Sequence, residues 1–186
     1  MTDLVSLSKV IARALRHRPD AAGIRLDKRG WCRVDELLEG LARAGTSVTR
    51  EELDEIVRTN DKKRFALSKD GALIRASQGH SVHGVELGLR PKKPPSVLFH
   101  GTMQSSLPSI ERKGLLPMRR HHVHLSVDLP TARAVGERRG PSVVLGVEAG
   151  RMQADGYSFW VSENGIWLVL AVPPMYLSVC VGQVGE

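Results

Sequence analysis

The sequence predicts an α+β protein of two lobes, three helices and a hairpin first, then a run of strands with helices set between them. Apolar residues recur at helical spacing in the first sixty positions, short alternating apolar stretches dominate the second half, and a proline-rich basic segment separates the two. That segment, Arg90-Pro91-Lys92-Lys93-Pro94-Pro95, favours extended backbone and cannot join a central strand. It divides the chain into lobes of residues 1–91 and 92–186.

The first helix is marked by Leu4, Leu7, Val10, Ile11, Ala14 and Leu15 and ends at Arg16-His17-Arg18-Pro19, because the proline pushes the residue before it out of helical geometry. Arg16 and His17 therefore sit near a helix terminus, where they could face a ligand or simply oppose the helix dipole. Leu37, Leu38 and Leu41 mark a second helix after the Gly30-Trp31 turn. Thr49 and Glu52 have the spacing of a capping box and open a third helix through residue 59. Residues 64–67 and 72–76 read as strands joined by Lys69-Asp70-Gly71. Three helices followed by a hairpin make the first lobe winged-helix-like, an arrangement that serves nucleic-acid or protein contacts.

In the second lobe, strands are expected over residues 97–100, 120–126, 143–147, 157–161, 166–172 and 176–181. Helices are expected over 107–113 and 129–136. The segment 120–126 carries the most chemistry. If it is extended, Arg120, His122, His124 and Ser126 share one face while Val123 and Leu125 share the other, giving a cationic surface backed by a core. His122 and His124 on one face could bind zinc, but no nearby carboxylate or cysteine completes a ligand set, and the arginines beside them would repel a dication. No metal is expected. Gly136, Arg138, Arg139 and Gly140 could cradle a pyrophosphate or form an exposed basic helix end. Trp31, Trp160 and Trp167 are assigned to the core.

The formal net charge is +7, and the excess is shared: 17 Lys and Arg against 13 Asp and Glu in residues 1–90, and 10 against 7 in residues 91–186. Such a spread fits a surface that meets a polyanion, or a simply solvated basic surface, better than a disordered nucleic-acid arm, and Arg, which outnumbers Lys, offers a planar fork for phosphate oxygens. Two well-separated cysteines, Cys32 and Cys180, point to a reduced, cytoplasmic protein. No apolar run approaches a membrane span and no signal-like start is present, so no membrane partner is expected. A monomer is expected.

Seven segments, in order, then carry a family resemblance: Leu7-Ser8-Lys9, Leu15-Arg16-His17, Asn60-Asp61-Lys62-Lys63-Arg64-Phe65, Gln78-Gly79-His80-Ser81, His100-Gly101-Thr102, His122-Val123-His124-Leu125-Ser126 and Asn164-Gly165-Ile166-Trp167. On them the chain resembles the NAD-dependent RNA 2′-phosphotransferases over nearly its whole length. The resemblance implies an ADP-ribosyltransferase-like second lobe that binds NAD as a consumed co-substrate, with a 2′-phosphorylated RNA held between the lobes. It implies a catalytic set of Arg16, His17, Arg64 and Arg120, with Arg119 as the neighbouring alternative to the last, and an NAD site of His100, Gly101, Thr102, His124 and Ser126. The implied reaction has two steps. The RNA 2′-phosphate attacks the anomeric carbon and expels nicotinamide, giving an RNA-2′-phospho-ADP-ribose. A ribose hydroxyl then takes the phosphorus, leaving 2′-OH RNA and ADP-ribose 1″,2″-cyclic phosphate. A phosphate monoester is already anionic at neutral pH and needs orientation more than deprotonation, which suits arginines. His17 either moves a proton or only binds the phosphate. Competing readings are an ADP-ribosyltransferase acting on nucleic-acid phosphate ends and a nucleic-acid-binding module with a degenerate transferase lobe.

Overall fold

The computed structural model describes residues 3–60, 63–137 and 140–180. Contacts divide the chain into two compact units, Met1–Leu89 and Arg90–Glu186, each with its own core. It is a mixed α/β protein with six helices and three small antiparallel sheets among the described residues.

In the first unit, helix α1 (Leu4–Arg16) is capped by Asp3, whose carboxylate accepts from the Val5 N–H, and it buries Leu7, Ile11 and Leu15. Helix α2 (Val34–Arg43) adds Leu37 and Leu41, and α3 (Arg50–Thr59) adds Leu53 and Ile56 to the same core. The capping box at α3 forms as its spacing predicts: the Glu52 N–H donates to Thr49 Oγ1 at 3.2 Å and the Thr49 N–H to Glu52 Oε2 at 2.9 Å. Strands β2 (Phe65–Leu67) and β3 (Leu73–Ala76) form the expected hairpin. A two-residue strand, β1 (Cys32–Arg33), pairs with the other edge of β3, and a 3-10 turn occupies Asp20–Ala22. Neither was legible in the sequence, since elements of two or three residues carry no periodicity.

In the second unit, β4 (Leu98–Met103) lies beside β6 (Ser142–Val147), which pairs with β9 (Leu177–Cys180). The remaining sheet orders β5 (Val123–Leu125), β8 (Trp167–Val169) and β7 (Phe159–Val161). Reciprocal backbone bonds between Phe99 and Ser126 (2.9 and 2.8 Å) tie β4 to the end of β5. Helices α4 (Leu107–Lys113) and α5 (Leu129–Gly136) lie where the sequence predicts them, while α6 (Ala149–Ala154) was not expected. It is six residues long, contains Gly150 and lacks a side-chain cap, so propensity gives no signal for it. Its start is held from outside by the Gly150 N–H donating to Ser96 O at 3.0 Å.

Three expectations are corrected. The segment 120–126 is not one strand: only residues 123–125 pair with β8. Pro117 and Met118, the latter in left-handed backbone at φ 56°, turn the chain so that the Arg120 N–H closes on Pro117 O at 3.0 Å. Strand alternation therefore does not place Arg120. The stretch from Arg90 is not a bare spacer either, since Pro91 bridges Trp160 and the Lys92 N–H donates to Phe159 O at 2.8 Å along the edge of β7. Of the tryptophans, Trp167 is buried, but Trp31 and Trp160 are half-buried. Trp31 lies under the Arg75 guanidinium at 4.6 Å, and Trp160 packs edge-on against His122.

The Thr49→Ala variant removes one half of the capping box and should lower stability by about 1 kcal/mol, read as a lower denaturant midpoint with an unchanged slope.

Candidate active site

The first unit gathers Arg16, His17 and Arg64. Arg16 closes α1 and His17 is its C-cap, while Arg64 immediately precedes β2. The Arg16 guanidinium donates through Nη2 to the Arg64 carbonyl at 3.5 Å. A short segment after β3, Ser77 to Ser81, grips both places. On one side the Ser77 N–H donates to Arg64 O and its hydroxyl to Lys63 O, each at 2.8 Å. On the other the Ser81 N–H donates to Arg16 O at 2.9 Å and its hydroxyl lies 2.9 Å from His17 Nδ1.

Local sequence explains the strap. Gly79 stands at φ 87°, a conformation an L side chain rarely adopts, and it passes alongside the Arg16 side chain. His80, 3 % exposed, lies against Gly30, where an added Cβ would stand 3.0 Å from its Nε2, and anchors the segment in the unit. Asn60, the C-cap of α3, fixes the loop before Arg64: its amide donates to Ser8 Oγ at 3.0 Å and its side-chain oxygen accepts from the Arg64 N–H at 3.4 Å. Arg64 also borders a cavity of about 230 Å³ with Ser8, Ile56 and Asn60. Ser77, Ser81 and Asn60 were missed as site residues. All lie in or beside segments that carried the resemblance, and position alone gives such hydroxyls and amides no chemical signature.

The second unit gathers His100, Gly101 and Thr102 of β4 with His124 of β5, Ser126 and Arg120. The Phe99–Ser126 bridge sets the two strands side by side, and His100 Nδ1 lies 3.0 Å from His124 O. A carbonyl only accepts, so His100 donates from Nδ1 and its neutral ring carries the lone pair on Nε2. Burial pushes the His100 imidazole below its ordinary value, the bond to His124 O opposes this, and the nearby Arg120 charge adds to the lowering. Arg120 reaches His124 from the turn rather than along the strand, with Nη1 3.3 Å from Nδ1. A guanidinium only donates, so His124 accepts at Nδ1 and holds its proton on Nε2. His122 points its ring at Trp160, and burial lowers its pKa too.

Gly101 has a structural use. A Cβ there would stand 1.8 Å from Ala132 O and 2.9 Å from the Gly136 N–H nitrogen, so the absent side chain is what lets α5 lie on β4. Arg138 and Arg139 of the expected pyrophosphate cradle lie outside the described residues. No cluster of three or more His, Cys, Asp or Glu side chains suited to a metal ion occurs among the described residues. The Cys32 thiol is pushed up to about 12 by burial, which leaves it a poor nucleophile.

Chemically, the first unit brings Arg16 to the Arg64 main chain with His17 one residue on, and guanidinium and imidazole are groups suited to a phosphate dianion. The second presents a guanidinium, a half-buried neutral imidazole acceptor and hydroxyls, a set suited to a ligand with hydroxyl and charged groups. Because His100 is lowered, the unfolded chain binds its proton more readily, and this contribution to stability is present above about pH 6.5 and lost as pH falls through the folded value. The thermal midpoint of the native protein should therefore drop more steeply between about pH 7.5 and 5 than that of His100→Asn.

Comparison with known proteins gives one family. The sequence model described as RNA 2′-phosphotransferase, Tpt1 / KptA family, matches residues 2–171. The chain is 50% identical over 175 residues to a probable RNA 2′-phosphotransferase of Rhodopirellula baltica, covering 94% of this chain and 95% of that protein. A protein of the same description from Pseudomonas fluorescens is 51% identical over 166 residues (89% and 91% covered). Another from Burkholderia pseudomallei is 51% identical over 170 residues (91% and 92%).

Proposed function

The chain belongs to the RNA 2′-phosphotransferase family and is an enzyme of that kind, and from this premise we propose that it transfers an internal RNA 2′-phosphate to NAD, which is consumed with release of nicotinamide. The observation that supports this most is the strap that brings Arg16 and His17 to the Arg64 backbone. In the same reading the first unit is a winged-helix-like lobe, supported by its three helices and hairpin. The second is an ADP-ribosyltransferase-like lobe, supported by its small antiparallel sheets. The protein acts as a cytoplasmic monomer.

Arg16 and Arg64 bind and orient the phosphate, which carries roughly −1.5 to −2 charge at neutral pH and is already a competent nucleophile. When bound, NAD supplies an anomeric carbon with a good leaving group and a ribose hydroxyl to receive the phosphorus. His100, Thr102, His124 and Ser126 hold the dinucleotide; the neutral acceptor at His100 Nε2, the hydroxyls and the Arg120 guanidinium fit its hydroxyl, amide and pyrophosphate groups. Arg120 stabilises charge developing on phosphoryl oxygens. His17 holds or moves a proton at Nε2, because Nδ1 is engaged by Ser81.

The defining experiment incubates the protein with NAD and an internally 2′-phosphorylated RNA and identifies the products. Nicotinamide, 2′-OH RNA and ADP-ribose 1″,2″-cyclic phosphate are expected. An RNA that accumulates with ADP-ribose on its phosphate would favour the end-modifying transferase instead. Chelators should leave the rate unchanged.

Arg64→Ala should lower kcat by about 10²–10³-fold with unfolding near that of the native protein, because the bonds to Ser77, Arg16 and Asn60 run through the Arg64 carbonyl and N–H, which alanine keeps. Arg120→Ala should be more damaging than Arg119→Ala, since it is Arg120 that meets His124; the reverse ranking would transfer the role to Arg119.

A further inference from the structure

We propose that Ser81 is a positioning residue for the reaction: it holds the His17 ring and the Arg16 main chain together and sets which ring nitrogen faces substrate. This rests on the functional reading above and adds a residue to it. Ser81 uses its backbone and its side chain on two successive residues, the N–H on Arg16 O and the hydroxyl on His17 Nδ1, both at 2.9 Å. Such a double contact fixes the ring's position relative to the guanidinium one residue before it. His17 is an exposed C-cap with backbone at φ −132° and ψ −36°, and a hydrogen bond at Nδ1 narrows the ring orientations that its χ angles would otherwise allow.

The hydroxyl is suited to this because it both donates and accepts. When the ring is neutral with its proton on Nδ1, Ser81 Oγ accepts it and Nε2 presents a lone pair. When the ring is cationic, the same Nδ1–H···Oγ bond persists while Nε2 carries a second proton. The ring can thus gain or lose a proton at Nε2 without breaking its anchor. A carboxylate in place of Ser81 would hold the ring equally well but would stabilise the cation and oppose an incoming phosphate. Ser81 is itself placed by its neighbours, with the buried His80 before it and Gly79 in left-handed backbone.

The test compares Ser81→Ala, Ser81→Thr and His17→Ala. Ser81→Ala should lower kcat about tenfold or more, with KM for the RNA changed less than about twofold by the same positioning argument, and Ser81→Thr, which restores a hydroxyl, should recover most of it. Imidazole ¹⁵N shifts, with the His17 signal assigned through His17→Ala, should show an altered tautomer ratio in Ser81→Ala and a native one in Ser81→Thr. These readouts separate positioning from folding, because a loss of structure would move other histidine signals as well. An Ala variant with native kcat, or one whose His17 shifts are unchanged, overturns the proposal. If Ser81→Ala is fully active while His17→Ala is inactive, the positioning role fails and the function stands. If His17→Ala is also active, the reading of His17 as catalytic fails as well.

Discussion

The first unit depends on one constraint, the return of the chain after β3 across the end of α1. Residues 16 and 64 lie far apart in sequence and carry like charges, yet the Arg16 guanidinium donates to the Arg64 carbonyl at 3.5 Å. The strap adds main-chain ties to both: Ser77 binds the Arg64 carbonyl and Ser81 the Arg16 carbonyl. A hydrogen bond to a backbone carbonyl brings no counter-charge to the place it ties, whereas a carboxylate strut would hold an arginine while neutralising it. A site for an anion needs the first solution, and each such bond contributes only about 1 kcal/mol, so the strap works by number and by its buried anchor at His80.

The second unit follows the same rule with different parts. The two-way bridge between Phe99 and Ser126 and the close seating of α5 on β4 at Gly101 fix the strands from which His100 and His124 project. Gly101 thus serves the site by permitting helix contact, and any direct contact with a ligand at this position falls to the backbone and to the flanking side chains of His100 and Thr102. His124 then receives Arg120 from a turn whose shape is set by Pro117 and the left-handed Met118.

Much of the fold was legible because its elements obey local rules. The α1 stripe, the Thr49–Glu52 capping box, the β2–β3 hairpin and α5 each follow from periodicity or capping chemistry confined to a few residues. The misses are elements whose existence is decided elsewhere in the chain. Strand β1 exists because β3 offers an edge, α6 because Ser96 accepts its N–H, and the strand expected over 120–126 is cut short by a turn that alternation cannot register. The candidate site divides similarly. Arg16, His17, His100 and His124 are expected only through the family resemblance, since each type alone also fits a helix end or a core position, while Ser77 and Ser81 are ordinary residues whose contacts arise only when the strap closes.

The two histidine sites differ in their surroundings. His100 is kept neutral by burial and by the adjacent Arg120 charge, and that state is useful for the proposed chemistry: a charged imidazole there would repel Arg120 and the cationic nicotinamide ring, and would remove the acceptor at Nε2. His17 lies exposed at a helix C-terminus, and the Ser81 hydroxyl beside its Nδ1 can accept from the ring or donate to it. In the proposed reaction the two imidazoles have different work: His100 offers a fixed acceptor to the dinucleotide, and His17 holds or moves a proton at the phosphate.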